Sequence, residues 1–203
     1  MSIAIKTYKN KFQYNLNKNE IILTLNIPSD EVKFLFETAY GKQFYAKDEQ
    51  GIQGEDVAKN ISNLYKIISK TATDKFVSLA VRTDFDNAGY YSCYGDVVVL
   101  VDKKRISDDV VIFNGDVKDI AKKVMETDNQ EKWVEIHYMN EPNLYERLKK
   151  LFENANSMEQ KIPRKMGKYF EARMQRALTP EDILEIYIDE KNVIIKKYVQ
   201  SVI

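Results

Sequence analysis

Three side chains in this sequence stand out as candidates to move protons, stabilise charge or act as a nucleophile. Glu171 lies in "YFEARM", a carboxylate inside an aromatic and basic run. His137 lies in "EIHYMN", two residues after Glu135 on an alternating segment. A histidine beside a carboxylate is the simplest general acid–base pair, and with nearby basic residues it would suit a metal-independent ribonuclease. Cys93 stands among tyrosines in "GYYSCYG", where a thiol reacts only if its pKa is lowered. Each residue also has a bland reading. A lone strand histidine is most often structural. Glu171 can be a solvated strand residue paired with Arg173 or Lys168, and Cys93 can be inert.

Composition removes several classes of chemistry. The 203 residues include 1 Cys and 1 His, so neither an intramolecular disulfide nor a Cys/His zinc site can form, and no metal is expected. The dinucleotide-binding, P-loop, zinc-protease and nucleophile-elbow motifs are absent. Lys+Arg and Asp+Glu both total 31, a formal net charge of zero, which disfavours a globally basic nucleic-acid binder. A local basic run remains in "KIPRKMGK", where Arg164 and Lys165 can meet an acceptor's phosphates. No stretch reaches the about 18 apolar residues that span a bilayer. The N-terminus lacks a continuous apolar signal core. A soluble chain in a reducing cytoplasm, without a membrane partner, is the expectation.

The elements that must position these residues follow from periodicity. "KFQYNLNKNEIILTLNIP" alternates at Phe12, Tyr14 and Leu16 and again at Ile21, Leu23 and Leu25, which predicts a β-hairpin turning at "NKNE". A helix is expected through "SDEVKFLFETAYG", and a second through "EDVAKNISNLYKIISKTA". "FVSLAVRTDF" predicts a strand with Val77, Leu79 and Val81 on one face and Arg82 on the other. "DVVVLVD" is a continuous apolar run, the mark of a central strand buried on both faces. After a short strand in "VVIF" come a helix in "DVKDIAKKVMETD", an alternating segment at "KWVEIHYMN" and an amphipathic helix in "EPNLYERLKKLFENAN". "YFEARM", "DILEIYI" and "VIIKKYV" are expected as three closing strands, with a helical turn at "TPED" between the first two. Helices mixed with mostly non-βαβ strands give one α+β domain spanning 1–203. Residues 1–54 can form a hairpin-helix appendage to a core at 55–203.

Two segments resemble ADP-ribosyltransferase-like domains of bacterial toxins and phage-associated proteins. "YGDVVVLVDKKRISDDVVIFNGD" (Tyr94 to Asp116) is similar to a YGD-type strand, a basic turn and a strand ending in an NGD-like corner. "YFEARMQRALTPEDILEIYI" (Tyr169 to Ile188) is similar to the partner pattern, an aromatic-x-Glu-Ala strand followed by a "dDI-e-I" strand. The resemblance implies a split β-sheet core with flanking helices that grips NAD in a cleft. It also implies an ordered set of three: an arginine on an early strand, a Ser/Tyr segment, and a glutamate on a late strand. Arg82, "GYYSCYGD" and Glu171 stand in that order. Arginine-modifying members carry a second acid or amide two residues before the glutamate; here that position is Tyr169.

The resemblance gives each residue a task. Breaking the nicotinamide–ribose bond builds an oxocarbenium-like cation, which Glu171 would stabilise. Arg82 would pair with the pyrophosphate. Tyr90, Tyr91, Ser92 and Tyr94 are the pool for stacking on nicotinamide and orienting the ribose. Lys165, Arg164 and Arg173 would contact the substrate. The implied function is NAD-dependent transfer of ADP-ribose to a protein or nucleic-acid acceptor, by an intracellular toxin or phage-defence effector that can have an antitoxin partner. The alternatives are a catalytically inactive binding module on the same fold, and the ribonuclease built on His137 and Glu135.

Overall fold

The computed structural model describes residues 3–10, 12–37, 77–85, 95–117, 120–121, 135–157, 170–174 and 176–203. Eight strands among them form one sheet: β1 (Ala4–Tyr8), β2 (Ile21–Ile27), β3 (Val77–Thr83), β4 (Val97–Val101), β5 (Val110–Phe113), β6 (Ile136–Tyr138), β7 (Glu171–Met174) and β8 (Ile183–Asp189). Their order across the sheet is β1-β8-β4-β2-β3-β7-β5-β6. β1 runs parallel to β8, and every other neighbouring pair is antiparallel. Four α-helices accompany the sheet among the described residues: α1 (Phe34–Glu37), α2 (Lys103–Ile106), α3 (Leu144–Ser157) and α4 (Val193–Val202). The class is α+β.

Alternation along each strand sorts the side chains onto two faces. Leu23, Leu25 and Ile27 of β2, Leu79 and Val81 of β3, Val99 of β4 and Ala172 of β7 share the main core. Leu35 of α1, Leu148 of α3 and Val199 of α4 complete that core. Burying a side chain such as Leu148 contributes about 2 kcal/mol. β4 is buried along its whole length, as its unbroken apolar run predicts.

The N-terminal region departs from its predicted hairpin. Residues 12–17 form no strand. β2 instead lies between β3 and β4, while β1 pairs with β8. Phe12 packs with Ile22, Val98, Leu100 and Tyr187 on the second face of the sheet, with Tyr14 and Leu16 against the same cluster. Edge-to-face ring contacts join Phe12 to Tyr8 and to Tyr187. The alternation at 12, 14 and 16 therefore records one-sided packing, not strand pairing. Residues before 55 contribute two strands to the sheet.

The C-terminus also departs from expectation: "VIIKKYV" is not a strand but the start of α4. Its β-branched run resembles a strand locally. Asn192 decides otherwise, because its side chain accepts the Ile195 N–H and caps a helix. Ile195, Tyr198 and Val199 then meet the core at helical spacing, whereas Ile194 is 80% exposed. Within the stretch predicted as a helix at "SDEVKFLFETAYG", Ser29–Glu31 forms a 3-10 turn and Phe34–Glu37 forms α1, while residues 38–41 lie outside the described residues.

Candidate active site

The second face of the sheet carries an aromatic and aliphatic cluster around Phe12 and, across β3 and β7, a group of polar and charged side chains. Residues directly opposite one another on paired strands project from the same side. Ala80 of β3 stands opposite Glu171 of β7, and Ser78 stands opposite Arg173. Arg82, two residues beyond Ala80, is therefore the diagonal neighbour of Glu171 on that face. The burial of β3 alternates accordingly, with Ser78, Ala80 and Arg82 half-buried and the residues between them buried. On the next strand Thr24 faces Ala80, and Arg82 Nε donates to Thr24 Oγ1 at 3.3 Å.

Glu171 is 6% exposed and Arg173 7%, so two opposite charges have left water together. Arg173 Nε lies 2.6 Å from Glu171 Oε1. The other carboxylate oxygen, Oε2, accepts the Val117 N–H at 2.8 Å. Val117 opens the helical turn in which Ile120 N–H donates to the Asp116 carbonyl. An N–H in that first turn lacks an intrahelical acceptor, and a carboxylate satisfies it and suits the positive helix end. Burial pushes the Glu171 carboxyl above its ordinary pKa. The Asp116 charge adds to that rise. Arg173, the Val117 N–H and the Ser78 hydroxyl pull against it without cancelling it. Glu171 is thus not the solvated strand acid of its bland reading.

Arg173, expected to contact substrate, is buried against Glu171. Tyr90, Tyr91, Ser92, Tyr94, Cys93, Arg164, Lys165 and Lys168 lie outside the described residues, as does the helix expected at 55–72. The sequence gives Asp116, Val117, Ser78 and Thr24 no signal of a place at this site. A backbone donor leaves no residue-type signal, and cross-strand neighbours become visible only with the register.

His137 lies on β6 opposite Ile112 and is 4% exposed. Its Nδ1 is 3.3 Å from Glu141 Oε2 and its Nε2 3.4 Å from Glu135 Oε1. Glu141 also accepts the Tyr138 N–H at 2.9 Å and meets Arg147 Nη1 at 3.2 Å. Burial opposes ionisation of Glu141, yet these partners together hold its carboxyl below the ordinary value. The cluster ties the end of β6 to the start of α3. Glu141 carries no signal of this role in the sequence, because "EPN" reads only as the entry to a helix.

Other polar clusters frame the sheet. Arg176 holds Asp182 bidentately at 2.6 and 2.9 Å and reaches Asp109 at 2.6 Å. Asp182 also accepts from Thr179 N–H in a capping box. No group of three or more His, Cys, Asp or Glu side chains among the described residues is placed to hold a metal ion. None of the helices among those residues is long and apolar enough to cross a membrane. No family model, curated protein or solved structure matches this chain.

Proposed function

We propose that the β3 and β7 part of the sheet's second face is the functional site, and that its chemistry is NAD-dependent ADP-ribosyl transfer to a protein or nucleic-acid acceptor. The carrying observation is that Arg82 and Glu171, 89 positions apart in sequence, are diagonal neighbours on one face of adjacent strands. A buried carboxylate with a raised pKa beside a guanidinium, with a second arginine diagonal to it on the next strand, is the kind of cluster that functional sites collect. In this reading Arg82 pairs with the pyrophosphate of NAD. Glu171 stabilises the cation that forms as the bond between ribose C1′ and nicotinamide breaks, the electron pair leaving with nicotinamide. The acceptor's nucleophile then bonds to C1′ and releases its proton. The likeness to ADP-ribosyltransferase-like toxins and phage-defence effectors rests on the Tyr94–Asp116 and Tyr169–Ile188 segments.

Incubation with labelled NAD and cell lysate tests this. Transfer of label by the wild-type chain and its loss in Glu171→Gln are expected. No transfer and no nicotinamide release sinks the reading.

A second reading has its own observation. Both oxygens of Glu171 already have partners, Val117 N–H and Arg173, as they would in a cluster that only holds the fold. The chain would then be a binding module without turnover. Calorimetry separates the two: NAD heat with nicotinamide release favours the enzyme, whereas no NAD heat and a partner recovered by pull-down favours the module.

A further inference from the structure

We propose that Arg173 is a positioning residue: its guanidinium, together with the Val117 N–H, fixes the Glu171 carboxylate for reaction instead of contacting the acceptor. The inference rests on the proposed ADP-ribosyl transfer and deepens it. Arg173 and Glu171 are separated by one residue on β7, so both project from the same face. Nε lies 2.6 Å from Oε1, and the two side chains are each 8% exposed. The second oxygen is held by Val117 N–H at 2.8 Å. The two contacts fall on different oxygens, and the Ser78 hydroxyl adds a third partner, so the carboxylate is held in place. That matters for charge stabilisation, because a misplacement of about 1 Å can cost on the order of a hundredfold in rate.

The pair also governs protonation. The charged and titratable groups facing Glu171 among the described residues are Arg173 on its own strand, Arg82 on β3 and Asp116 at the helix start; β5 offers only Val111 and Phe113. Burial and Asp116 favour the neutral acid, and Arg173 is the largest influence favouring the carboxylate. Removing the guanidinium therefore shifts Glu171 towards its protonated, inactive form. A surface substrate-binding arginine would have neither effect.

The test follows the Glu171 carboxyl by carbon-13 NMR in protein with labelled glutamate, assigned by comparison with Glu171→Gln, alongside nicotinamide release from NAD across pH. In Arg173→Gln the Glu171 titration is expected to move to higher pH. Release should fall on the order of a hundredfold at neutral pH, with its acidic limb moved the same way. Arg173→Lys keeps the charge without the planar fork; it should restore the titration more fully than the rate, and it serves if the Gln variant does not fold. An unmoved titration in a folded Arg173 variant overturns the proposal. A moved titration in a protein whose wild type releases no nicotinamide overturns the proposed transfer reaction and leaves Arg173 a purely structural partner.

Discussion

Arg82 of β3 and Glu171 of β7 project from the same face of the sheet as diagonal neighbours, because Ala80 stands directly opposite Glu171. The pairing sets polar and charged groups beside the aromatic and aliphatic cluster of the same face. It also makes Glu171 a costly residue to keep, and that cost can be measured.

The pH dependence of stability is the first consequence. The Glu171 pKa is raised in the folded protein from its ordinary 4.5, so between those two values the folded state holds more protons than the unfolded state. Stability contributed by this group is full below pH 4.5 and declines as pH rises through the folded pKa. Urea denaturation over this range should show that slope in the wild type. Glu171→Gln, which cannot ionise, should remove it, and an identical slope in both would contradict the assignment.

Gly95 should not tolerate a side chain. Its φ is +154°, and a Cβ there would fall 2.0 Å from the Ile27 carbonyl carbon. The neighbouring Asp96 carboxylate accepts the Ser29 N–H at 3.0 Å, so the backbone has no room to retreat. Gly95→Ala is expected to cost about 3 kcal/mol, read as a drop in the denaturation midpoint.

The Arg176 clamp gives a third test. Asp182 is 2% exposed, and its partners hold its carboxyl below the ordinary value although burial opposes them. Arg176→Met leaves that carboxylate with Thr179 and the more distant Arg105 at 3.8 Å. Arg176 is itself 35% exposed, so solvent reduces the loss to about 2 kcal/mol. Thermal unfolding would measure it.

Asn192 joins two jobs. It caps α4 through the Ile195 N–H and donates to the Asp96 carboxylate at 3.2 Å. Asn192→Ala should cost about 1–2 kcal/mol, and helix-terminal amides of α4 should exchange faster. Asn192→Asp keeps the cap but sets a second carboxylate against Asp96, and should recover only part of the loss.

How far the sequence is legible varies by residue. Val77, Leu79 and Val81 set the face of β3 by simple alternation, and that placed Arg82 opposite them. Val97–Val101 could only be a central strand. Phe12, Tyr14 and Leu16 alternate just as clearly, yet they cover the sheet without joining it. Period-two patterning reports which side is buried, not whether a neighbour supplies hydrogen bonds. Val193, Ile194 and Ile195 carry strand propensity, which the Asn192 cap and the core contact of Val199 override. At the site, Glu171 and Arg173 were legible as an i, i+2 pair. The capping of a helix start by Glu171 was not, because the donor is a backbone amide on a segment 54 residues away.

The most direct measurement is steady-state nicotinamide release from NAD by the wild type, Arg82→Ala and Glu171→Gln, each checked for folding. If this face performs the transfer, Glu171→Gln lowers kcat by about 100-fold or more, while Arg82→Ala mainly raises the KM for NAD by about tenfold. A wild type that releases no nicotinamide, or variants that release it at the wild-type rate, would contradict the account.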